Sequence, residues 1–344
     1  MKYNRLYFAV RNLIFKMVIK RTLLRLLIIM ALPVVMSCQS SSNQRALKLA
    51  HGLNESHPVH VGLMEMGRLL SEISGGQMTM DIYANGQLGQ ERDLMELLQI
   101  GSLDMTKVSA GSMENFVPEF KVLTLPYLFS DSTHTWNVLQ GEIGENLLSK
   151  GDQYRLRGLC FYDAGSRSFY SKEAPINSPK NLEGLKVRVM NSQSAFNMVN
   201  ALGGSPTPVS FGELYTALQQ GVVDAAENNA PSFYTSRHYE ICKHYSIDQH
   251  TTVPDVLIVS TYLWDKLNEQ ERKWLQQAAD QSVEYQKQVW ASSVQESLAA
   301  VQKAGVKIYH PEKGPFQEKV AKLYDEFKSQ PEMYQLIQDI QAAK

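Results

Sequence analysis

Ala46-Leu-Lys-Leu-Ala-His51, Met78-Thr-Met-Asp-Ile82 and Leu103-Asp-Met-Thr-Lys-Val-Ser109 are three short runs whose order decides the fold. In the first two, apolar and polar residues alternate, the period of a β-strand with one face on a core. Between them Val59, Leu63, Met66, Leu70 and Ile73 recur at helical spacing, and Gly75-Gly76 has the chemistry of a helix C-cap. Asn85-Gly86 then turns the chain into a second helical stretch carrying Leu94, Leu97 and Leu98, which Gly101 stops before the third run. Strand, helix, strand, helix, strand is the alternation of a parallel sheet covered by helices, so an α/β fold is expected.

The same alternation returns downstream. Strands are expected near Leu156–Tyr162, Phe169–Ser171 and Lys186–Met190, helices near Ser192–Leu202 and Gly212–Gln220, and an apolar strand at Asp255–Ser260. From Asn268 to Ala304 the chain runs 37 residues without glycine or proline. As one helix this stretch would extend about 55 Å, longer than a small domain, and is expected to brace two lobes. The alternative is two helices broken near Ala291-Ser292-Ser293.

At 344 residues, 44% hydrophobic and 20% charged, the chain has material for two compact domains. Its N-terminus differs from the rest: Lys2, Arg5, Arg11, Lys16, Lys20, Arg21 and Arg25 occur there with no acid before Cys38. The apolar run Leu26–Met36 is too short to span a bilayer. With Val35-Met36-Ser37-Cys38 it reads as residues 1–38 of a lipoprotein-type signal peptide, Cys38 becoming the lipid-bearing residue, followed by a polar tether at 39–45. An uncleaved anchor is the alternative, and Met17 makes a tidier start than Met1. Without that segment 27 basic residues face 35 acidic ones, a net charge near −8 that argues against a nucleic-acid partner. Cys160 and Cys242 form no CxxC or close pair and are expected as buried thiols.

No nucleophile elbow, phosphate loop, zinc-protease or dinucleotide motif is present, so no catalytic residue and no cofactor is expected. His57-Pro-Val-His60 has no third ligand at a useful spacing and sits where a helix starts, which suits capping or a surface role better than a metal. Two strand cations draw attention. Lys107 interrupts the third run, where a buried ammonium needs a partner that an anionic ligand could supply. Arg188 lies amid Val187, Val189 and Met190; alternation alone could turn it to solvent, but near a cleft its planar fork suits a carboxylate.

Arg188 belongs to a longer pattern. Gly184-Leu-Lys-Val-Arg188-Val is followed by Ala201-Leu-Gly-Gly-Ser-Pro-Thr-Pro-Val-Ser-Phe-Gly-Glu-Leu-Tyr and by Gln220-Gly-Val-Val-Asp224. Upstream stand Asn85-Gly-Gln-Leu-Gly-Gln-Glu-Arg92, Gly101-Ser-Leu-Asp104, Phe116-Val-Pro-Glu-Phe120 and Leu125-Pro-Tyr-Leu-Phe129, and downstream Tyr239-Glu-Ile-Cys-Lys243. Taken in order from Ala46 to about Pro311, these blocks resemble the solute-binding (DctP) family of TRAP, or tripartite ATP-independent, transporters.

The resemblance implies a two-lobed periplasmic-binding-protein fold with a hinge, residues 46–165 plus 254–293 forming lobe I and 166–253 plus 294–344 lobe II. It implies a binding protein, not an enzyme, working as a monomer in the periplasm with TRAP membrane subunits; the reading of residues 1–38 adds that it is lipid-anchored, or soluble after signal cleavage. By its motifs Arg188 holds a substrate carboxylate, Arg167 in Gly165-Ser-Arg167 is a second basic contact, Phe211 an aromatic wall and Asn228 a polar contact. Glu91, Lys107 and His51 face the cleft by analogy, and Glu227 and Asn229 join them as ligand-binding candidates. Ala225, Ala226 and Asn229 depart from the family's usual Gly, Gln and Pro, which puts the role of Asn229 in question. Lys107, Ala226-Glu-Asn-Asn229, Ser236-Arg-His-Tyr239 and Asp248-Gln-His250-Thr resemble the branch that binds sugar acids, so a small organic acid anion, a hexuronate, is the expected ligand. The alternatives are a C4-dicarboxylate or other organic acid, a sensor presenting its closed form to a receptor kinase, and a periplasmic enzyme pairing Glu91 with Glu227.

Overall fold

The computed structural model describes residues 11–21 and 44–343. Residues 11–21 form an exposed helix that belongs to a separate unit of the chain. The cleavage box, the lipidation expected at Cys38 and the tether as far as residue 43 lie outside the described residues. No described helix is long and apolar enough to cross a membrane.

From Arg45 onward two sheets organise the chain. The strands are β1 (Arg45–Ala50), β2 (Met78–Tyr83), β3 (Met105–Ser109), β4 (Leu156–Tyr162), β5 (Ser166–Ser171), β6 (Lys186–Val189), β7 (Ser205–Pro208), β8 (Ala225–Asn228), β9 (His244–Thr252), β10 (Asp255–Ser260) and β11 (Lys307–Tyr309). The first sheet runs β2-β1-β3-β10-β4 and the second β11-β9-β5-β8-β6-β7. As expected, β1 pairs parallel with β2 and β3. Its neighbours break the parallel pattern, because β10 arrives from the other lobe and runs antiparallel to both β3 and β4. Val256, Leu257, Ile258 and Val259 are all fully buried. That continuous apolar run fits a central strand covered on both faces.

Helix ends follow local chemistry. The Pro58–Ile73 helix begins at His57, whose Nδ1 accepts a hydrogen bond from Val59 N at 3.2 Å, and closes before Gly75 and Gly76 with φ of 60° and 79°. The capping reading of His57 thus holds. The Glu91–Gln99 helix starts with Gln90 N donating to Asp93 Oδ2 at 2.9 Å.

Glu269–Lys303 is one unbroken helix of 35 residues, with no interruption at 291–293. Leu275, Ala278, Ala279, Val283 and Trp290 pack in the first lobe's core, and Val301 in the core with Tyr170, Phe233 and Val306 of the second. A rod of roughly 52 Å therefore braces both lobes. The chain crosses from the first sheet to the second between β4 and β5 and returns between β9 and β10. At the first crossing Asp163 N donates to Gln286 Oε1 and Gln286 Nε2 donates to Asp163 O, both at 2.8 Å, which pins the brace to the hinge. There Gly165 has φ of 57°, and an added Cβ would sit 2.9 Å from Trp290 Nε1.

The C-terminus departs from expectation. Phe316, Val320 and Leu323 pack in the second lobe, but Ile337 and Ile340 of the Pro331–Ala342 helix are buried in the first. His134 Nε2 donates to Ile340 O at 2.7 Å, and Tyr324 OH to Pro126 O at 2.8 Å. Residues 331–342 thus belong with lobe I and not, as anticipated, with lobe II. A short helix with one apolar stripe docks on whichever core lies within reach.

Candidate functional site

A cleft between the two sheets is bordered by Glu91, Lys107, Arg167, Arg188, Phe211 and Asn228.

Arg188 stands on β6, an inner strand paired with β7 and β8. It is 2% exposed, and its Nε donates to Val209 O at 2.8 Å. The Phe211 ring centre lies 5.9 Å from its Cζ. Among the described residues no carboxylate forms an ion pair with it. Burial, and then the neighbouring Arg167, holds its pKa below the usual arginine value. A guanidinium stays charged in proteins, so one wall of the cleft carries a buried cation without an anionic partner.

Arg167, on β5, is differently placed. Its Nε and Nη2 fork both carboxylate oxygens of Glu227, the second at 2.9 Å, while Nη1 donates to Asn228 Oδ1 and Nη2 to Glu227 O, each at 2.9 Å. Four of its five N–H groups are thereby engaged, leaving one for the cleft. Behind the pair, His250 Nδ1 meets Asp248 Oδ2 at 2.9 Å and His250 Nε2 lies 3.5 Å from Glu227 Oε2. Burial alone would lower the His250 pKa, but Asp248 and Glu227 outweigh it and raise it to about 9. Burial alone would raise that of Glu227, but Arg167, with His250, holds it at about 2. Asp248, His250, Glu227 and Arg167 thus form a charge-balanced buried chain. Glu227, expected as a ligand contact, spends its carboxylate inside this chain, with its side chain 1% exposed.

The opposite wall belongs to the first lobe. Lys107 Nζ donates to Asp255 Oδ1 at 3.0 Å and lies 3.3 Å from Glu91 Oε1. Glu91 also accepts from Ser109 N at 3.0 Å and from Ser112 Oγ. The partner expected of a ligand is therefore supplied by the protein, and Asp255, which borders the cleft, was not foreseen. Burial alone would lower the Lys107 pKa, but Asp255 and Glu91 raise it, so it remains an ammonium.

The other predicted residues divide. Phe211 lines the cleft and meets His238 edge-on at 5.7 Å. Burial, and then Arg188, lowers the His238 pKa to about 3. Asn228 Oδ1 accepts from Arg167 and from Asn229 N at 2.9 Å, which leaves its amide donors toward the cavity. Asn229 is the N-cap of the Ala230–Thr235 helix, Oδ1 accepting from Ser232 N at 2.8 Å and Nδ2 donating to Ala164 O at 3.0 Å. His51 is fully buried: its Nδ1 accepts from Leu53 N at 3.2 Å, so Nε2 donates to His60 Nδ1 at 3.0 Å. Burial, and then Lys107, lowers its pKa to about 3, and it supports the site from behind. Among the described residues no group of three or more His, Cys, Asp or Glu is arranged to hold a metal.

Contacts between the lobes flank the cleft. Asn115 Nδ2 donates to Asn191 O at 2.6 Å, Gly212 N to Gln90 Oε1 at 3.2 Å and Asn54 Nδ2 to Thr235 O at 3.2 Å. Glu114 accepts from Ser194 N at 3.0 Å and Ser194 Oγ at 2.8 Å, so a first-lobe carboxylate sits at the start of the second lobe's Gln193–Ala201 helix.

A family model described as bacterial extracellular solute-binding protein, family 7 (DctP), matches residues 49–330. The uncharacterised protein YiiZ of Salmonella typhimurium is 39% identical over 306 residues, 88% of this chain and 93% of that protein. A crystal structure of a TRAP periplasmic solute-binding protein from Xanthobacter autotrophicus with bound β-D-galacturonate is similar with a TM-score of 0.84 at 36% identity, covering 87% of this chain and all of that one. Another, from Roseobacter denitrificans with bound β-D-glucuronate, has the same TM-score at 34% identity and covers 87% and 100% of the two chains. A two-lobed α/β architecture shared at that level, together with a family match over most of its length, assigns the chain to the DctP family of extracellular solute-binding proteins.

Proposed function

We propose that the protein captures a hexuronate, D-glucuronate or D-galacturonate, outside the cytoplasm and delivers it to TRAP membrane subunits. The observation that carries this reading is Arg188, a buried guanidinium with no carboxylate of its own in a cleft between hinged lobes. A ligand carboxylate supplies the missing charge in a bidentate pair. Phe211 offers a face to the sugar ring, and the Asn228 amide and the free N–H of Arg167 offer donors to ring hydroxyls. Glu227, His51 and Asn229 hold these groups in place. Uronate-bound relatives of the same architecture support the substrate class.

Capture needs no chemistry. Lobe closure removes the anion from water, the fixed fork replaces its hydration shell, and the closed form is what the membrane subunits recognise. Secretion by residues 1–38, tethering through a lipid on Cys38 and action as a monomer complete the proposal.

Calorimetric titration with D-glucuronate, D-galacturonate, a sialic acid and succinate tests it. A uronate is expected to bind near micromolar, about −8 kcal/mol, and ahead of the others. Heat from a sialic acid with none from either uronate would refute the substrate assignment.

A further inference from the structure

The two walls of the cleft differ in charge. On the second lobe's wall Arg188 supplies an unpaired cation. On the first lobe's wall Asp255 and Glu91 share the single Lys107, at 3.0 and 3.3 Å. Two carboxylates there share one ammonium, and burial, outweighing the pull of Lys107, raises the Asp255 pKa, so that wall has no spare cation and disfavours a further anion. Lys107 is only 3% exposed and already committed to the pair, so it is a poor second anion receptor.

Free valence at this wall is of one kind. Asp255 Oδ1 takes the Lys107 bond, and no donor among the described residues reaches Asp255 Oδ2, although the residue borders the cleft. Glu91 is more heavily engaged, through Ser109 N, Ser112 Oγ and Lys107. Paired with the Lys107 ammonium at 3.0 Å, the Asp255 carboxylate is an acceptor at Oδ2, which suits a ligand O–H or N–H. A second ligand carboxylate would bring like charge into a partly dry site, which forces one of the groups to take up a proton.

We infer that Asp255, held with Glu91 by Lys107, is a specificity-determining residue that accepts a hydroxyl from the ligand's uncharged end and rejects ligands with a second acid group there. This rests on the proposed seating of a sugar acid at Arg188 and adds the exclusion of diacids.

Matched titrations test it. D-galacturonate is compared with galactarate and D-glucuronate with D-glucarate, pairs that differ by oxidation of the far end, and D-gluconate serves as the open-chain monoacid control for glucarate. Wild-type protein is expected to prefer each monoacid by roughly a hundredfold or more, the discrimination of a site whose buried polar groups would otherwise be mismatched. Asp255→Asn removes the charge while keeping the shape, and is expected to weaken uronate binding and shrink the preference to below about tenfold. Should that variant fold poorly, as judged by its melting temperature, Glu91→Gln carries the same expectation.

Galactarate or glucarate binding to wild type as tightly as its monoacid overturns the inference, as does an Asp255→Asn protein whose discrimination is unchanged. Succinate binding ahead of every monoacid overturns it too, even with a carboxylate on Arg188. Gluconate binding with glucarate excluded and both uronates silent would support the inference while refuting the uronate assignment, which keeps the two claims separable.

Discussion

Glu227→Gln separates a supporting carboxylate from a ligand-binding one. In the folded protein Glu227 forks Arg167 and faces His250, itself paired with Asp248 at 2.9 Å. Glutamine keeps the volume but leaves two cations, Arg167 and His250, against the single charge of Asp248. Arg167 is buried against Glu227 with side chains 8% and 1% exposed, so water gives the freed charge little relief. Removing one member of such a buried pair costs about 3–5 kcal/mol. His250 can recover part of this by releasing its proton, which places the expected loss toward the lower bound. For a domain of this size the melting temperature should fall by roughly 6–15 °C. Differential scanning calorimetry of the ligand-free protein near pH 7 reads this directly. A melting temperature within 2 °C of wild type, with ligand affinity abolished, would mean that Glu227 serves the ligand and that the buried charge chain is not what holds β5 to β8.

Other consequences follow from the same geometry. Stability should be greatest near pH 6.5: burial holds His51 and His238 neutral at about 3 and His57 well below its ordinary value. Below pH 6.5 the unfolded chain therefore binds protons the native one refuses, at a cost of up to about 1.4 kcal/mol per pH unit for each histidine. His250, raised to about 9, acts in the opposite sense, its contribution present below 6.5 and lost as pH rises through 9. Urea denaturation from pH 5 to 9 should show a maximum between those limits, and a monotonic curve would contradict the assignment. Glu114→Ala, which removes a contact between lobes without touching the cleft, should raise the ligand off-rate several-fold with little change in on-rate, and stopped-flow traces with unchanged dissociation would refute a latch role. Asn229→Ala should cost about 1 kcal/mol of stability as a lost N-cap, with a smaller effect on affinity; loss of binding without loss of stability would make Asn229 a ligand contact after all.

The fold was legible where local pattern and environment agreed. Leu47 and Leu49 alternate with Lys48 on a strand with one face in the core, and the uninterrupted run ending at Lys303 became one helix because no residue in it resists helical geometry. The second lobe was harder to read. The strand His244–Thr252 carries Asp248 and His250, polar residues that look like loop until their buried partners are in place. Side-chain partnership was the least visible layer. That Lys107 needs an anion could be deduced from its position in a strand, but Asp255 stands 148 residues away, at the start of a run that otherwise reads as pure core. Arg167 and Arg188 look alike in sequence, yet only Arg188 is left without a carboxylate, because Glu227 on β8 faces β5. The lobe of the C-terminal helix is not legible in the sequence for the same reason: Ile337 and Ile340 specify an apolar stripe, not the surface that receives it.

The central claim is that Arg188 supplies the charge that a carboxylate ligand pairs with. Calorimetric comparison of wild type and Arg188→Ala for the bound uronate measures it most directly. A loss of about 2–5 kcal/mol is predicted, roughly thirty- to several-thousandfold in Kd, while affinities within twofold of each other would contradict it.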